Sequence, residues 1–91
     1  MTIWEFLDYA GDFAAEYDLE ITERTERDGW LGFTATCEGQ SVGQYQVRLV
    51  TATINDQLIE LVEVHLKEEV EGGFHRYFVS RPVDLIATIY C

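Results

Sequence analysis

Gln44 to Lys67, QYQVRLVTATINDQLIELVEVHLK, is the stretch whose reading decides the fold of this 91-residue chain. Tyr45, Val47 and Leu49 alternate with Gln44, Gln46 and Arg48, and beyond Asn55-Asp56 the residues Val62, Val64 and Leu66 alternate with Glu63, His65 and Lys67. A period of two marks a strand with one buried face, and Asn-Asp between two such runs marks a turn. Folding there sets Tyr45 beside Leu66, Val47 beside Val64 and Leu49 beside Val62 on the inner face. Arg48 then meets Glu63, Gln46 meets His65 and Gln44 meets Lys67 on the outer one. A slip of one residue would reverse every side chain, so the pairing is tightly specified. Glu60 falls inward beside Thr51, the one discordant position.

Toward the N-terminus, Leu19 and Ile21 alternate with Glu20 and Thr22, and Leu31, Phe33, Ala35 and Cys37 alternate with small or polar residues. Asp28-Gly29 between them predicts a hairpin. A three-residue Asp28-Gly29-Trp30 loop aligns Ile21 with Cys37 and is preferred over a two-residue loop, leaving Trp30 at the tip. Glu38 to Gly43 reads as a connecting break before the strand from Gln44. Still earlier, Ile3, Phe6, Leu7, Ala10, Phe13, Ala14 and Tyr17 recur at helical spacing, predicting an amphipathic helix from about Thr2 to Tyr17. Thr2 followed by Glu5 has the capping-box spacing.

Toward the C-terminus, Glu71-Gly72-Gly73 predicts a turn into a strand from Phe74 to Ser80. That turn sets Glu69 opposite Arg76 and His65 opposite about Ser80. After Pro82, Val83, Ile86 and Ile89 fit a short helix, whereas the β-branched run Ile-Ala-Thr-Ile-Tyr fits a sixth strand. The expected fold is therefore α+β, one domain over residues 1–91. An N-terminal amphipathic helix packs on a four- to five-stranded antiparallel meander, and a short C-terminal helix or a further strand follows.

Little in the chain points to catalysis. His65 and His75 lie apart in the expected register and lack zinc-site spacing. Glu60 is the only carboxylate the register buries, Ser41 and Cys37 have no neighbouring base, and neither glycine cluster has the context of a phosphate loop. We expect no enzyme activity, no metal and no cofactor. Cys37 and Cys91 have no CxxC spacing and read as a buried Cys37 and a free Cys91 in a reducing cytosol, with a disulfide as the alternative. No run approaches the ~18 apolar residues of a membrane span, so the expected location is cytoplasmic.

Charge is the remaining signal. The formal net charge is −11, with six Lys and Arg against 17 Asp and Glu. That balance argues against direct binding to nucleic acid or an anionic membrane. From Met1 to Glu23 there are seven carboxylates and no Lys or Arg, and Glu5, Asp8, Asp12 and Glu16 form one stripe opposite the apolar face. Like charges at this spacing repel. The stripe is either the solvated side of the helix or a surface for a basic, Lys/Arg-rich partner, with Trp30 either an interface anchor or folded back on the sheet. Phe74 and Phe78, in a strand with aromatics on both faces, offer an alternative apolar contact.

In size and charge the chain resembles phage-encoded inhibitors of host defence, including anti-CRISPR and anti-restriction proteins, which implies a stoichiometric block of a nucleic-acid-binding site. In topology alone it resembles the type III secretion chaperone fold, which implies a dimer that binds a peptide. The leading expectation is an inhibitor that presents Glu5, Asp8, Asp12 and Glu16 as phosphate surrogates. The alternative is a chaperone or adaptor that uses Phe74 and Phe78. Monomer and homodimer both remain open.

Overall fold

The computed structural model describes residues 1–67 and 74–89, and the side chains of Phe74 and His75 are outside that description. Helix α1 (Ile3–Ala15) is followed by strands β1 (Leu19–Arg27), β2 (Trp30–Cys37), β3 (Gln40–Ile54), β4 (Gln57–Lys67) and β5 (Phe74–Val79), and by helix α2 (Pro82–Ala87). The strands form one antiparallel sheet in sequence order. This is the α+β meander expected, with the tail after Pro82 resolved as a helix. Pro82 occupies the first turn, where its missing N–H costs nothing. No helix among the described residues is long and apolar enough to cross a membrane.

The Thr2 side chain caps α1, accepting from the Glu5 amide at 3.1 Å and donating to the Glu5 carboxylate at 3.3 Å. The helix packs through Phe6, Leu7, Ala10 and Ala14 onto Leu19, Leu31, Phe33, Tyr45, Val47, Val62, Val64 and Val79, with Leu85, Ile86 and Ile89 closing the same core. Phe33 stacks on Tyr45 at 5.3 Å. Phe13 and Tyr17 depart from expectation and are exposed, because the buried stripe centres on Ala10 and Ala14 and leaves them on its flank. The helix also stops short of Tyr17, ending at Ala15. Asp18 then takes a left-handed φ of 59°.

The central hairpin has the expected register, including Tyr45 with Leu66, Val47 with Val64 and Arg48 with Glu63. The first hairpin does not. Arg27 pairs with Trp30, so the loop is two residues, Asp28-Gly29, with φ of 53° and 83°. Positive φ at both positions matches the twist of the flanking strands. A bulge at Glu23-Arg24 then shifts the ladder, and Ile21 faces Ala35 rather than Cys37. The bulge keeps Leu19 and Ile21 on the core side while turning Arg24 and Glu26 toward α1.

Three further expectations are corrected. Glu38-Gly39 is itself a two-residue turn (φ 52° and 82°) and β3 begins at Gln40, with Val42 bulged. The connecting break is thus mostly strand. His65 pairs with Arg76 rather than with about Ser80, because this register sets Tyr77 beside Val64 and Val79 beside Val62 in the core. The expected partner of Arg76, Glu69, lies outside the described residues, as does the Gly72-Gly73 turn. Cys37 is disulfide-bonded and half-buried rather than a buried thiol. The chain's other cysteine, Cys91, lies outside the described residues, and the argument from free thiols for a reducing compartment falls.

Among the described residues, β3 and β4 pair only with each other beyond Leu49 and Val62, forming a two-stranded arm from Val50 to Leu61. Glu60 faces Thr51 as expected but is exposed, because the arm extends past the edge of the helix layer.

Candidate functional site

Glu5, Asp8 and Asp12 lie on the outward face of α1, Glu16 is its C-cap, and all four are exposed. The structure brings these four together but gives them unequal surroundings. Glu5 is engaged with the N-cap, and Asp8 accepts from Arg24 Nη1 at 2.6 Å. The bulge at Glu23 makes that second contact, since without it Arg24 would point to the opposite side of the sheet. Beside it the Trp4 indole donates to Glu26 at 3.0 Å. Asp12 and Glu16 have no ion-pair partner among the described residues. Tyr9, Phe13 and Tyr17, spaced four apart and exposed, run alongside them.

Trp30 is not part of this surface. The two-residue turn makes it the first residue of β2, on the same face as Gly32 and Thr34, so the sheet separates it from α1. Its ring lies 4.4 Å from the His65 ring and 4.4 Å from the Arg48 guanidinium, which folds it back onto the open sheet face. Phe78 is on this face too, opposite Glu63 and 55% exposed. Phe74 pairs with Lys67 in the ladder, while its side chain is outside the described residues.

Glu63 is the functional-looking residue that sequence reasoning missed. It is only 2% exposed, at the centre of a polar cluster on an otherwise open face. Arg48 Nε donates to it at 2.7 Å, Arg76 Nε lies at 3.1 Å and His65 Nε2 at 3.1 Å. Arg76 Nε also reaches His65 Nε2 at 2.8 Å, so that nitrogen accepts from Arg76 in one tautomer and donates to Glu63 in the other. Burial alone would raise the Glu63 pKa, but hydrogen bonds from Arg48 and His65 and the charges of Arg48 and Arg76 hold it below the ordinary carboxylate value. The Arg48–Glu63 pairing signalled this contact in the sequence. Its burial among Arg48, His65 and Arg76 did not.

A carboxylate held ionised between two guanidinium groups is poorly suited to proton transfer, and the cluster reads as structural. Glu63→Gln is expected to lower stability by about 1–2 kcal/mol rather than the ~3–5 typical of a fully buried pair, because the Arg48 and Arg76 side chains it abandons are 45% and 61% exposed. A pKa depressed by folding stabilises above the unfolded value of ~4.3 and ceases to do so as pH falls through the folded value. Urea unfolding should therefore show the gap between the two proteins at pH 7 and a smaller one at pH 3.

Beside the cluster is a shallow groove of about 360 Å³ lined by Thr25, Gly32, Thr34, Gln46, His65 and Lys67 among others. Its lining mixes charges of both signs and has no converging set of ligands, and no group of His, Cys, Asp and Glu among the described residues can hold a metal ion. Comparison with known proteins finds no matching family model, no matching curated protein and no matching solved structure.

Proposed function

We propose that this chain is a non-catalytic inhibitor that binds a basic protein through the outward face of α1, occupying a Lys/Arg-lined surface that otherwise takes nucleic acid. The observation that carries the reading is the acidic stripe opposite the core, in which Asp8 is paired with Arg24 while Asp12 and Glu16 are free of cations among the described residues. From Glu5 to Glu16 the stripe covers ~16 Å at ~1.5 Å per residue. Its four charges stand ~5.5 Å apart along the axis, against ~3.4 Å of axial rise per phosphate along a DNA strand, a sparser row of the same sign. Tyr9 and Phe13 supply the aromatic contacts that protein interfaces favour. Acidity is also kept where the backbone would favour a neutral residue: Glu23 and Glu38 hold left-handed φ of 53° and 52°, a conformation glycine or asparagine adopts at lower cost. A phage or mobile-element anti-defence role, directed against a CRISPR or restriction complex, is the form of this activity the charge pattern suits best.

The test begins with affinity purification of the bound protein. The double reversal Asp12→Lys with Glu16→Lys should then slow association by about 10- to 100-fold and relieve competition with nucleic acid, since complementary charge acts chiefly on encounter. Asp8 is left in place because its loss would free Arg24. Parental binding should weaken as salt rises. A folded double variant that associates at the parental rate at low salt would sink the reading.

The second reading, an adaptor for an apolar segment, draws on the exposed Phe78 ring. It requires Phe78→Asp to abolish binding with little salt dependence while the α1 reversals leave it intact.

A further inference from the structure

We infer that the β3–β4 arm is a self-association surface, through which two copies of this chain pack face to face about a two-fold axis. The inference is independent of the proposed function, because the arm's apolar face lies on the side of the sheet away from α1.

Side chains alternate along a strand, so Arg48, Val50, Ala52 and Ile54 share one face with Gln57, Ile59, Leu61 and Glu63. Along the arm, that face is apolar at five of six positions: Val50 with Leu61, Ala52 with Ile59, and Ile54 with Gln57. Among the described residues no third strand pairs along it; Ile54 is 47% exposed, and Val50, Ala52, Ile59 and Leu61 are half-buried. An isolated two-stranded ribbon is marginal in water. This one projects past the sheet with five of its six apolar residues on a single face and Leu58 on the other, and packing against another surface would remove those five from water.

The charges at its two ends choose the occupant. At the base, Arg48 and Arg76 surround the single carboxylate Glu63, leaving an excess of positive charge. At the tip stands Asp56. Ala52 is the midpoint of the apolar strip, four residues or ~14 Å from Arg48 and about three residues or ~10 Å from the turn, where Asp56 stands level with Asn55, a difference that an arginine side chain spans. Stacking a second copy antiparallel about that midpoint sets Ile59 over the second copy's Ile59, Val50 over its Ile54, and the basic base of each arm against the acidic tip of the other. Such a surface is complementary to itself, which is the requirement of a two-fold interface. The net charge does not oppose it strongly. Two sheets lie between the acidic helices, placing them farther apart than the ~8–10 Å over which charge is felt at ordinary ionic strength.

The apolar strip is short against the ~800 Å² per partner of a standard interface. Self-association is therefore expected in the range of tens to hundreds of micromolar. Sedimentation equilibrium of the intact, oxidised chain should show a monomer–dimer equilibrium. Ile59→Asp should weaken it by about 100-fold or more, and Asp56→Asn, which keeps the left-handed turn while removing the tip charge, by roughly three- to tenfold. Ile54→Asp, at a position already half in water, replaces Ile59→Asp if that variant does not fold by circular dichroism. A chain that stays monomeric at about 1 mM overturns the inference, as does a dimer that survives either class of substitution. Binding of an unrelated apolar peptide to the arm of a monomeric chain overturns it as well.

Discussion

Phe6→Ala is expected to lower the free energy of unfolding by about 3–5 kcal/mol, the usual cost of removing a buried aromatic ring. Phe6 is 1% exposed and sits on the α1 stripe that packs against the sheet, so the cavity cannot drain to solvent without moving the helix. Total stability for a domain of this size is on the order of 5–14 kcal/mol, and the variant loses a large share of it. Urea unfolding followed by circular dichroism measures the loss. A loss below about 1 kcal/mol would mean that α1 does not depend on this contact for docking. The comparison with the α1 reversals is informative: Asp12→Lys with Glu16→Lys touches only solvent-facing positions, and surface changes of that kind usually stay within about 0.5 kcal/mol. One helix thus separates stability on its inner side from the proposed recognition on its outer side.

Reducing the Cys37 disulfide is expected to cost about 2–4 kcal/mol, whichever balance of chain entropy and bond enthalpy underlies the effect. Cys37 ends β2, an inner strand, beside the Glu38-Gly39 turn and packs against the core, so the bridge is anchored in the sheet. Unfolding in urea with and without dithiothreitol reads the difference, and Cys37→Ser should reproduce the reduced value. The contribution is complete only where thiols are oxidised. An unfolding midpoint indifferent to reductant would show that the bridge contributes no stability.

The central hairpin was fully legible because two long alternating runs flank a turn signal, and only one register lets Tyr45, Val47 and Leu49 meet Leu66, Val64 and Val62. The first hairpin was misread for a physical reason. Asp28-Gly29 carried the right local signal, but an unbroken ladder through it would have put Phe33 opposite Arg24, and the bulge at Glu23-Arg24 that resolves the conflict is stabilised by Arg24 meeting Asp8 on α1. Such a contact exists only after folding. The acidic stripe was legible as one helix face. The separation of Trp30 from it was not, since it follows from that turn, and the burial of Glu63 depends on the β4–β5 register, which brings Arg76 beside His65.

The sheet's strictly sequential strand order bears on how the chain reaches this state. Every strand pairs with its neighbours in sequence, and two of the connections span only two residues at positive φ, Asp28-Gly29 and Glu38-Gly39, with a third at Asn55-Asp56. Loops this short close with little entropy loss, so contact order is low for a structure dominated by strands, and formation can start at any hairpin and spread to the next. Helix α1 meets α2, which brings the two ends of the described chain together over the sheet, and a contact so distant in sequence is expected to form after the hairpins. Changes at that helix pair should therefore appear mainly as faster unfolding, with the refolding rate left to the hairpins.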